Sequence, residues 1–354
     1  MSAAPQIPIE NIYYLFCYAW NRFEEAQSIP LGAAPSPDLP NLLARVLLSG
    51  TRALFRRGLD RSYQVHDEEI ATVRGRIELG RTLHLRARKA RGLHCEFDEL
   101  SHDVPHNRIL KASLKRLARS STIDRELAQE LLALSYRFPG LADIRLERSA
   151  FSRVHLHRNN GYYDLLLKVS ELAFDCMLPN PRGNGFLFQD VLRDERKMAR
   201  VFEEFVRNFY RAEQRTLTVE PMTIRWDAIP LTSNNVGQLP TMRVDVFLRN
   251  NERRIIIDTK YYADALQTFH GTESFHSDNL YQIFSYLKNA AGIDPTFQAA
   301  EGILLYPQVR HSLNACFSIQ GHHVKIATVD LSRPWPIIKE RLLELLCLRN
   351  IGSA

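Results

Sequence analysis

Two aspartates and a lysine stand where side chains of their type are out of place. Asp245 lies in Arg-Val-Asp-Val-Phe, and Asp258 and Lys260 lie in Ile-Ile-Ile-Asp-Thr-Lys-Tyr-Tyr. Asp and Lys are poor strand formers, so their presence in β-branched runs points to a task other than folding. Residues two apart on a strand share a face, which puts Asp258 and Lys260 together and turns Ile257 and Thr259 away. With Asn250-Asn251 read as a two-residue hairpin turn, Asp245 falls opposite Ile256 and is the diagonal neighbour of Asp258 on one face. A slip of one residue would send the two aspartates to opposite faces. Two carboxylates a few ångströms apart repel unless a cation stands between them, and Mg2+ (or Mn2+) is the usual answer. The Thr259 carbonyl, at the same strand end, is a third candidate ligand. A lysine beside such a pair can orient an attacking water and stabilise charge developing on a phosphate. A strand-end Asp-x-Lys ion pair is the plainer reading, and Asp245 on the matching face is what favours chemistry.

The flanking elements have a legible order. Asp194 to Glu213 reads as a helix, with Met198, Phe202, Phe205, Val206 and Phe209 on one stripe and Asp194 and Glu195 at its positive N-terminus. Glu203 borders that stripe and is a further candidate metal ligand, whereas Glu204 faces away. Thr216 to Trp226 reads as a strand interrupted near Pro221, and Met242 to Leu248 and Arg253 to Tyr261 as two more. Ser277 or Asp278 caps a helix running to about Asn289, and Gly302 to Tyr306 is a short buried strand. The order α-β-β-β-α-β makes a mixed α/β layer. On its second helix Gln282 and Tyr286 stand one turn apart, an amide and a phenol able to hold a DNA backbone. His270, His276, His322 and His323 lack zinc-site spacing.

The front of the chain reads differently. A length of 354 residues suggests two domains. The turn-rich Pro179-Asn-Pro-Arg-Gly-Asn-Gly185 lies in the region of about 155 to 195 where a boundary is expected, and the division is taken as 1–160 and 161–354. Helical patterns at Asn11–Trp20, Leu42–Phe55 and Arg108–Arg119 place a mixed α+β domain first. The formal charge of +6 is carried entirely by residues 1–160, which hold 24 basic and 18 acidic side chains, against 22 of each in the remainder. In residues 71–95, Arg74, Arg76, Arg81, Arg86, Arg88, Lys89 and Arg91 face Glu78 alone. Such a run is either a solvated basic face or a segment that meets phosphates or a carboxylate-lined partner. Five scattered cysteines without C-x-x-C spacing, no signal-peptide pattern and no apolar run of membrane length lead us to expect reduced thiols in a cytoplasmic protein with no membrane partner. The absence of Gly-x-x-x-x-Gly-Lys-Ser/Thr excludes P-loop nucleotide hydrolysis by this chain, and no Gly-x-Ser-x-Gly elbow occurs.

The hairpin and its flanks resemble the PD-(D/E)xK nucleases, with Asp245 as first acid, Asp258-Thr-Lys260 as second motif, and Val244 where the motif's proline would stand. The resemblance narrows through Asn11–Trp20, Arg74-Gly-Arg-Ile-Glu78, Phe97-Asp-Glu-Leu100, Asp258–Tyr262 and Gly271–Gln282. Together these resemble the McrC family, the nuclease subunits of McrBC modification-dependent (type IV) restriction enzymes, from about residue 7 to about residue 345. The resemblance implies a restriction-endonuclease-like α-β-β-β-α-β domain that cuts both strands of methylcytosine-containing DNA. It also implies a separate McrB-like AAA+ GTPase ring, with GTP used by that ring and stimulated through the front domain of this chain. Charge alone assigns ring contact to Arg81, Arg86, Arg88, Lys89 and Arg91. Two other readings stand beside this one: a non-catalytic activator of a GTPase ring, and a stand-alone nuclease of the RecB/Cas4 type. The scattered cysteines suit the iron–sulfur cluster common in the latter poorly.

Overall fold

The computed structural model describes residues 7–29, 38–88, 92–157, 160–179, 185–188, 194–231, 238–261, 266–269, 272–308 and 312–347. Its two units are Gln27–Gln189, and Met1–Ala26 together with Asp190–Ala354. The chain opens with α1 (Ile9–Ala19) and α2 (Phe23–Gln27).

The Gln27–Gln189 unit begins with α3 (Leu39–Arg57), whose N-terminus is closed by the Asp38 carboxylate accepting from the Asn41 N–H at 2.9 Å. Then come β1 (Ser62–Ile70), β2 (Arg76–Ile77), α4 (Leu79–Ala87) and β3 (Leu93–Ser101), in which β1 and β2 flank β3 in one antiparallel sheet. Helices α5 (Pro105–Ala118), α6 (Arg125–Ser135), α7 (Arg148–Ser152) and α8 (Gly161–Cys176) follow, with the small hairpin of β4 (Met177–Pro179) and β5 (Phe186–Phe188). Helix α8 buries Tyr162, Leu165, Leu166 and Val169, and crosses α3 where Gly50 leaves room for Leu166; a Cβ there would overlap it. This packing moves the division from the expected 160/161 to 189/190, because α8 belongs to the core of the helices before it.

The other unit holds α9 (Glu195–Glu213), β6 (Thr218–Ile224), β7 (Met242–Arg249), β8 (Arg254–Thr259), the hairpin β9 (Leu266–Phe269) and β10 (Thr272–Phe275), α10 (Ser277–Ile293), β11 (Glu301–Pro307), β12 (Asn314–Ile319), β13 (His322–Val329) and α11 (Trp335–Glu344). The expected α-β-β-β-α-β order is present, interrupted by β9–β10 and extended by β12, β13 and α11. Six strands form one mixed sheet in the order β12-β13-β11-β8-β7-β6, parallel at β8–β11–β13 and antiparallel elsewhere. The fully buried run Ile255-Ile256-Ile257 forms the heart of β8, as suits a central strand covered on both faces. Ile255 and Ile257 join an apolar cluster with Phe202, Phe205 and Phe209 of α9, while Ile256 joins one with Ile283 and Leu287 of α10. Strand β6 is an edge strand with a bulge between Glu220 and Met222, as the missing N–H of Pro221 requires.

The first helix belongs to this unit, contrary to the expected 1–160 domain. Leu15 and Tyr18 of α1 sit in the α9 cluster, and Tyr18 stacks on Phe23 and Trp335. Two buried amides hold the helix at its ends. Asn11 Nδ2 donates to the carbonyls of Leu331 and Arg333, both at 2.8 Å, and Asn208 Nδ2 donates to those of Tyr18 (3.0 Å) and Ala19 (3.1 Å). Among the described residues no helix is long and apolar enough to cross a membrane.

Asn208→Leu leaves the Ala19 carbonyl without the amide donor and the Tyr18 carbonyl with the Asn21 N–H alone. It is expected to destabilise the protein by about 1–3 kcal/mol, read from the urea midpoint at unchanged m-value. Wild-type stability in this variant would show that the amide does not anchor α1.

Candidate active site

The β7–β8 hairpin pairs Val246 with Ile257, Phe247 with Ile256 and Arg249 with Arg254. Its loop therefore has four residues, Asn250 to Arg253, and not the two expected. The Asn250 side-chain oxygen accepts from the N–H of Glu252 (2.9 Å) and of Arg253 (2.7 Å), and the Asn250 N–H donates to the Arg253 carbonyl (3.0 Å). The register moves by two residues, so Asp245 comes level with Asp258 instead of Ile256. A shift of two preserves the face, and the acids stay together.

Beyond Val246 and Ile257 a side chain takes over from the ladder. Asp245 Oδ2 accepts from the Thr259 N–H (2.8 Å) and from its hydroxyl (2.9 Å), binding the end of β7 to the end of β8. The Asp245 carbonyl accepts from Arg207 Nε at 2.8 Å. Arg207, on α9, also grips the Glu203 carboxylate and lies 2.7 Å from Glu204 Oε1. Glu203 is thus half-buried and held by Arg207, with Arg243 Nη2 3.8 Å away. Burial first, and the Asp245 charge next, push its pKa up. Sequence reading missed Arg207; the i, i+4 spacing Glu203-x-x-x-Arg207 was the available signal.

Asp258 is fully buried at the strand end, with Lys260 Nζ 2.8 Å from its Oδ2. The approach is an ion pair rather than an aligned hydrogen bond, and neither Asp258 oxygen has a hydrogen-bond donor. Burial pushes the Asp258 pKa up to about 7; Lys260 opposes the shift, and the Asp245 and Glu203 charges add to it. The lysine backbone is fixed by its N–H donating to the Leu305 carbonyl at 2.9 Å. Its ammonium donates to Gln282 Oε1 (2.8 Å), Gln282 Nε2 to the Tyr286 hydroxyl (2.6 Å), and that hydroxyl to the Arg243 carbonyl (3.2 Å).

The structure therefore brings Asp245, Asp258, Thr259, Lys260, Gln282 and Tyr286 together with Glu203 close by. Of the two residues expected to hold a DNA backbone, Gln282 is half-buried and Tyr286 is buried. Tyr286 is 5% exposed and packs among Ile224, Phe247 and Ile283. The helix carrying them starts after His276, which makes no side-chain cap, and not with a Ser277 or Asp278 cap.

Of the basic segment, Arg74 lies just before β2, Arg76 on β2 and Arg81 on α4. The acids that oppose it come from neighbouring strands, outside the window in which Glu78 is the only one. Arg81 is paired with Asp67, Arg74 lies 3.5 Å from Glu99 and over the Phe97 ring, and Arg76 lies 3.6 Å from Glu78. Arg88 is exposed at the end of α4; Lys89, Arg91 and the Arg86 side chain lie outside the described residues.

A family profile described as McrBC 5-methylcytosine restriction system component matches residues 10–307, and the chain belongs to that family, as its resemblance to McrC led us to expect. It is 31% identical over 353 residues to the Type IV methyl-directed restriction enzyme EcoKMcrBC of Escherichia coli K12, covering 96% of this chain and 97% of that relative. Its fold matches a chain in the refined half-complex from a tetradecameric assembly of Thermococcus gammatolerans McrB AAA+ hexamers with bound McrC. The TM-score is 0.59 at 17% identity, covering 95% of this chain and 75% of the other.

The Asp258 carboxyl keeps its proton to about pH 7 in the folded, metal-free chain but only to about pH 4 once unfolded. Between these values the folded state binds more protons, so this group's contribution to stability falls as pH rises and levels off above about 7. Asp258→Asn cannot ionise and lacks the slope. Urea unfolding in chelator across that range is expected to show the wild-type-minus-variant stability dropping by roughly a few kcal/mol. A pH-independent difference would reject a proton-holding Asp258.

Proposed function

We propose that this chain is the DNA-cutting subunit of a McrBC-type restriction system, hydrolysing phosphodiester bonds in methylcytosine-containing double-stranded DNA with Mg2+. The observation that carries the reading is the buried Asp258 carboxylate, without a hydrogen-bond donor on either oxygen, beside Asp245 and Lys260. A single ammonium cannot balance two facing carboxylates, one of them buried, and a divalent cation is what the pair lacks. The donor set fits such an ion. Asp258 offers its oxygens, Asp245 offers Oδ1 because Oδ2 serves Thr259, and the Thr259 carbonyl stands at the same strand end. Among the described residues no group of three His, Cys, Asp or Glu side chains could hold a metal, so backbone and water complete the shell. Glu203, held by Arg207, stands outside that set.

When bound, Mg2+ supplies Lewis-acid polarisation of the scissile phosphate. Asp245 and Asp258 orient the reacting groups against the strand ends. Lys260, held between Asp258 and Gln282, directs its ammonium at the position where negative charge grows on the phosphate and where water attacks.

The chain has no P-loop, so GTP turnover belongs to an AAA+ partner. The Escherichia coli relative carries McrBC in its name, and the Thermococcus gammatolerans match is a McrC bound to McrB AAA+ hexamers. A McrB-like ring is therefore the partner we propose here, with the segment around α4 as the ring-contacting element, where Leu79 and Leu83 are exposed beside the arginines.

Asp258→Asn is expected to abolish cleavage of methylated DNA while folding and ring binding persist; a purified variant cutting at the wild-type rate would sink the assignment. Lys260→Ala is expected to lower the cleavage rate by roughly 10²–10³-fold or more with metal affinity unchanged or higher. Loss of metal binding instead would make Lys260 a structural ion-pair partner.

Charge reversal at Arg86, Arg88 and Arg91 is expected to weaken GTPase stimulation at low salt, with less effect at high salt, where screening already weakens exposed contacts. Full stimulation with DNA binding lost would assign the segment to DNA.

A further inference from the structure

The β6–β7 ribbon reaches the acid pair with two unlike faces. Met222, Ile224, Met242 and Val244 pack in or against the apolar cluster shared with α10. Thr223 pairs with Arg243, and Ile224 with Met242, so Thr223 and Arg243 turn the other way. Arg225 follows two residues after Thr223 on that same face, as the diagonal neighbour of Arg243. All three side chains belong to exposed residues. Diagonal neighbours on a paired ribbon stand roughly 7–8 Å apart, close to the step between successive phosphates of one nucleic-acid strand.

Neither arginine has its charge matched. Arg225 makes no ion pair among the described residues, and Asp227, the acid nearest it in sequence, lies against Gly292 of α10 instead. Arg243 has a side chain 75% exposed and stands 3.8 Å from Glu203 Oε1, the oxygen that Arg207 already grips. At the far end of β7 the same ribbon does neutralise an arginine. There Glu220 of β6 accepts from Arg249 through both oxygens, at 2.8 and 3.0 Å. At the end near the acid pair the opposing strand offers Arg243 a threonine.

The backbone under these two residues is tied down. The Tyr286 hydroxyl donates to the Arg243 carbonyl at 3.2 Å. Just past Arg225, Trp226 Nε1 donates to the Pro240 carbonyl and the Asp227 N–H to Asn289 Oδ1, both at 2.8 Å.

We propose that Arg225 and Arg243 form a backbone track, each holding one phosphate of the substrate strand and together leading that strand to Asp245 and Asp258. The proposal rests on the nuclease reading above. Three carboxylates around the centre repel a polyanion, and a single divalent ion offsets that only where it binds. Two fixed cations beginning two residues before Asp245 restore the attraction along the approach. A guanidinium matches a phosphate with two parallel N–H donors, and Arg243 exchanges its long contact with Glu203 for that shorter one. Contacts of this kind set the register of the strand without reading its bases.

The test measures binding of a short methylated duplex to the full chain, with Ca2+ in place of Mg2+ to hold the strand uncut. Arg225→Gln and Arg243→Gln are each expected to flatten the slope of log K against log salt by about one, and the double variant by about two. Arg243→Lys is expected to restore the slope, since a point charge still displaces a counterion. With the AAA+ partner and Mg2+, each Gln variant is expected to raise KM for DNA roughly ten-fold, more than it lowers kcat. Urea midpoints report whether the ribbon is intact.

An unchanged slope and KM in the double variant would overturn the proposal. A fall in kcat at constant KM would overturn it in favour of a direct part in the chemistry. Loss of DNA-free GTPase stimulation with the slope intact would overturn it in favour of an acidic face on the AAA+ partner. An inactive Asp258→Asn beside a double variant that binds normally brings down the track alone, whereas an active Asp258→Asn brings down the nuclease reading itself.

Discussion

A carboxylate buried at the end of an all-isoleucine strand core is the constraint around which the nuclease-like unit is organised. Ile255, Ile256 and Ile257 close water out of β8, and Asp258 follows directly, with no hydrogen-bond donor for either oxygen. Charge in such a place must be neutralised by proton, by ion pair or by metal. Its neighbours are arranged accordingly. Lys260 stands on the same face, its backbone tied to β11, and Gln282 takes the part of the ammonium that Asp258 does not. On the other side Arg207 ties the Asp245 carbonyl to α9 and restrains Glu203, so that a third acid near the pair does not add to the repulsion unopposed. Remove the buried acid and none of these polar contacts between helix and strand has an evident reason.

Much of this was legible from side-chain parity. The period of two put Asp245, Asp258 and Lys260 on one face, and that conclusion survived a hairpin register wrong by two residues because an even shift keeps the face. What failed was the loop. The pair Asn250-Asn251 suggests a two-residue turn, whereas the Asn250 side chain folds back onto the N–H groups of Glu252 and Arg253 and builds a longer one. The burial of Tyr286 also escaped, since helical spacing reports which residues are neighbours but not how exposed each one is. For Arg207 the spacing to Glu203 marks the ion pair, but its hold on the Asp245 carbonyl is to a backbone atom that no sequence pattern marks.

The division of the chain was legible only in part. The Pro and Gly cluster at 179–185 lies next to the true division at 189/190, but hydrophobic periodicity could not say that α8 packs on α3. Nor could it show that α1 joins α9. The apolar stripe of α1 announces that the helix is buried and is silent about what covers it. The basic segment offers a parallel case. Counted along the chain it has one acid, yet strand pairing brings Asp67 and Glu99 to its arginines, so its field is weaker than the local count implies. Such neighbours are set by tertiary structure and are invisible to a window.

The seating of α1 against α9 has a bearing on how the protein is made. In chain order α1 precedes the whole of residues 27–189, and the surface that covers it is encoded only after them. At translation speeds of roughly 5–20 residues per second, the wait is on the order of ten seconds or more. During it Ile12, Leu15, Phe16 and Tyr18 have no mate of their own, while the intervening unit has every residue it needs to condense. The nascent chain thus carries an adhesive helix until α9 is made, a window in which chaperone capture competes with aggregation.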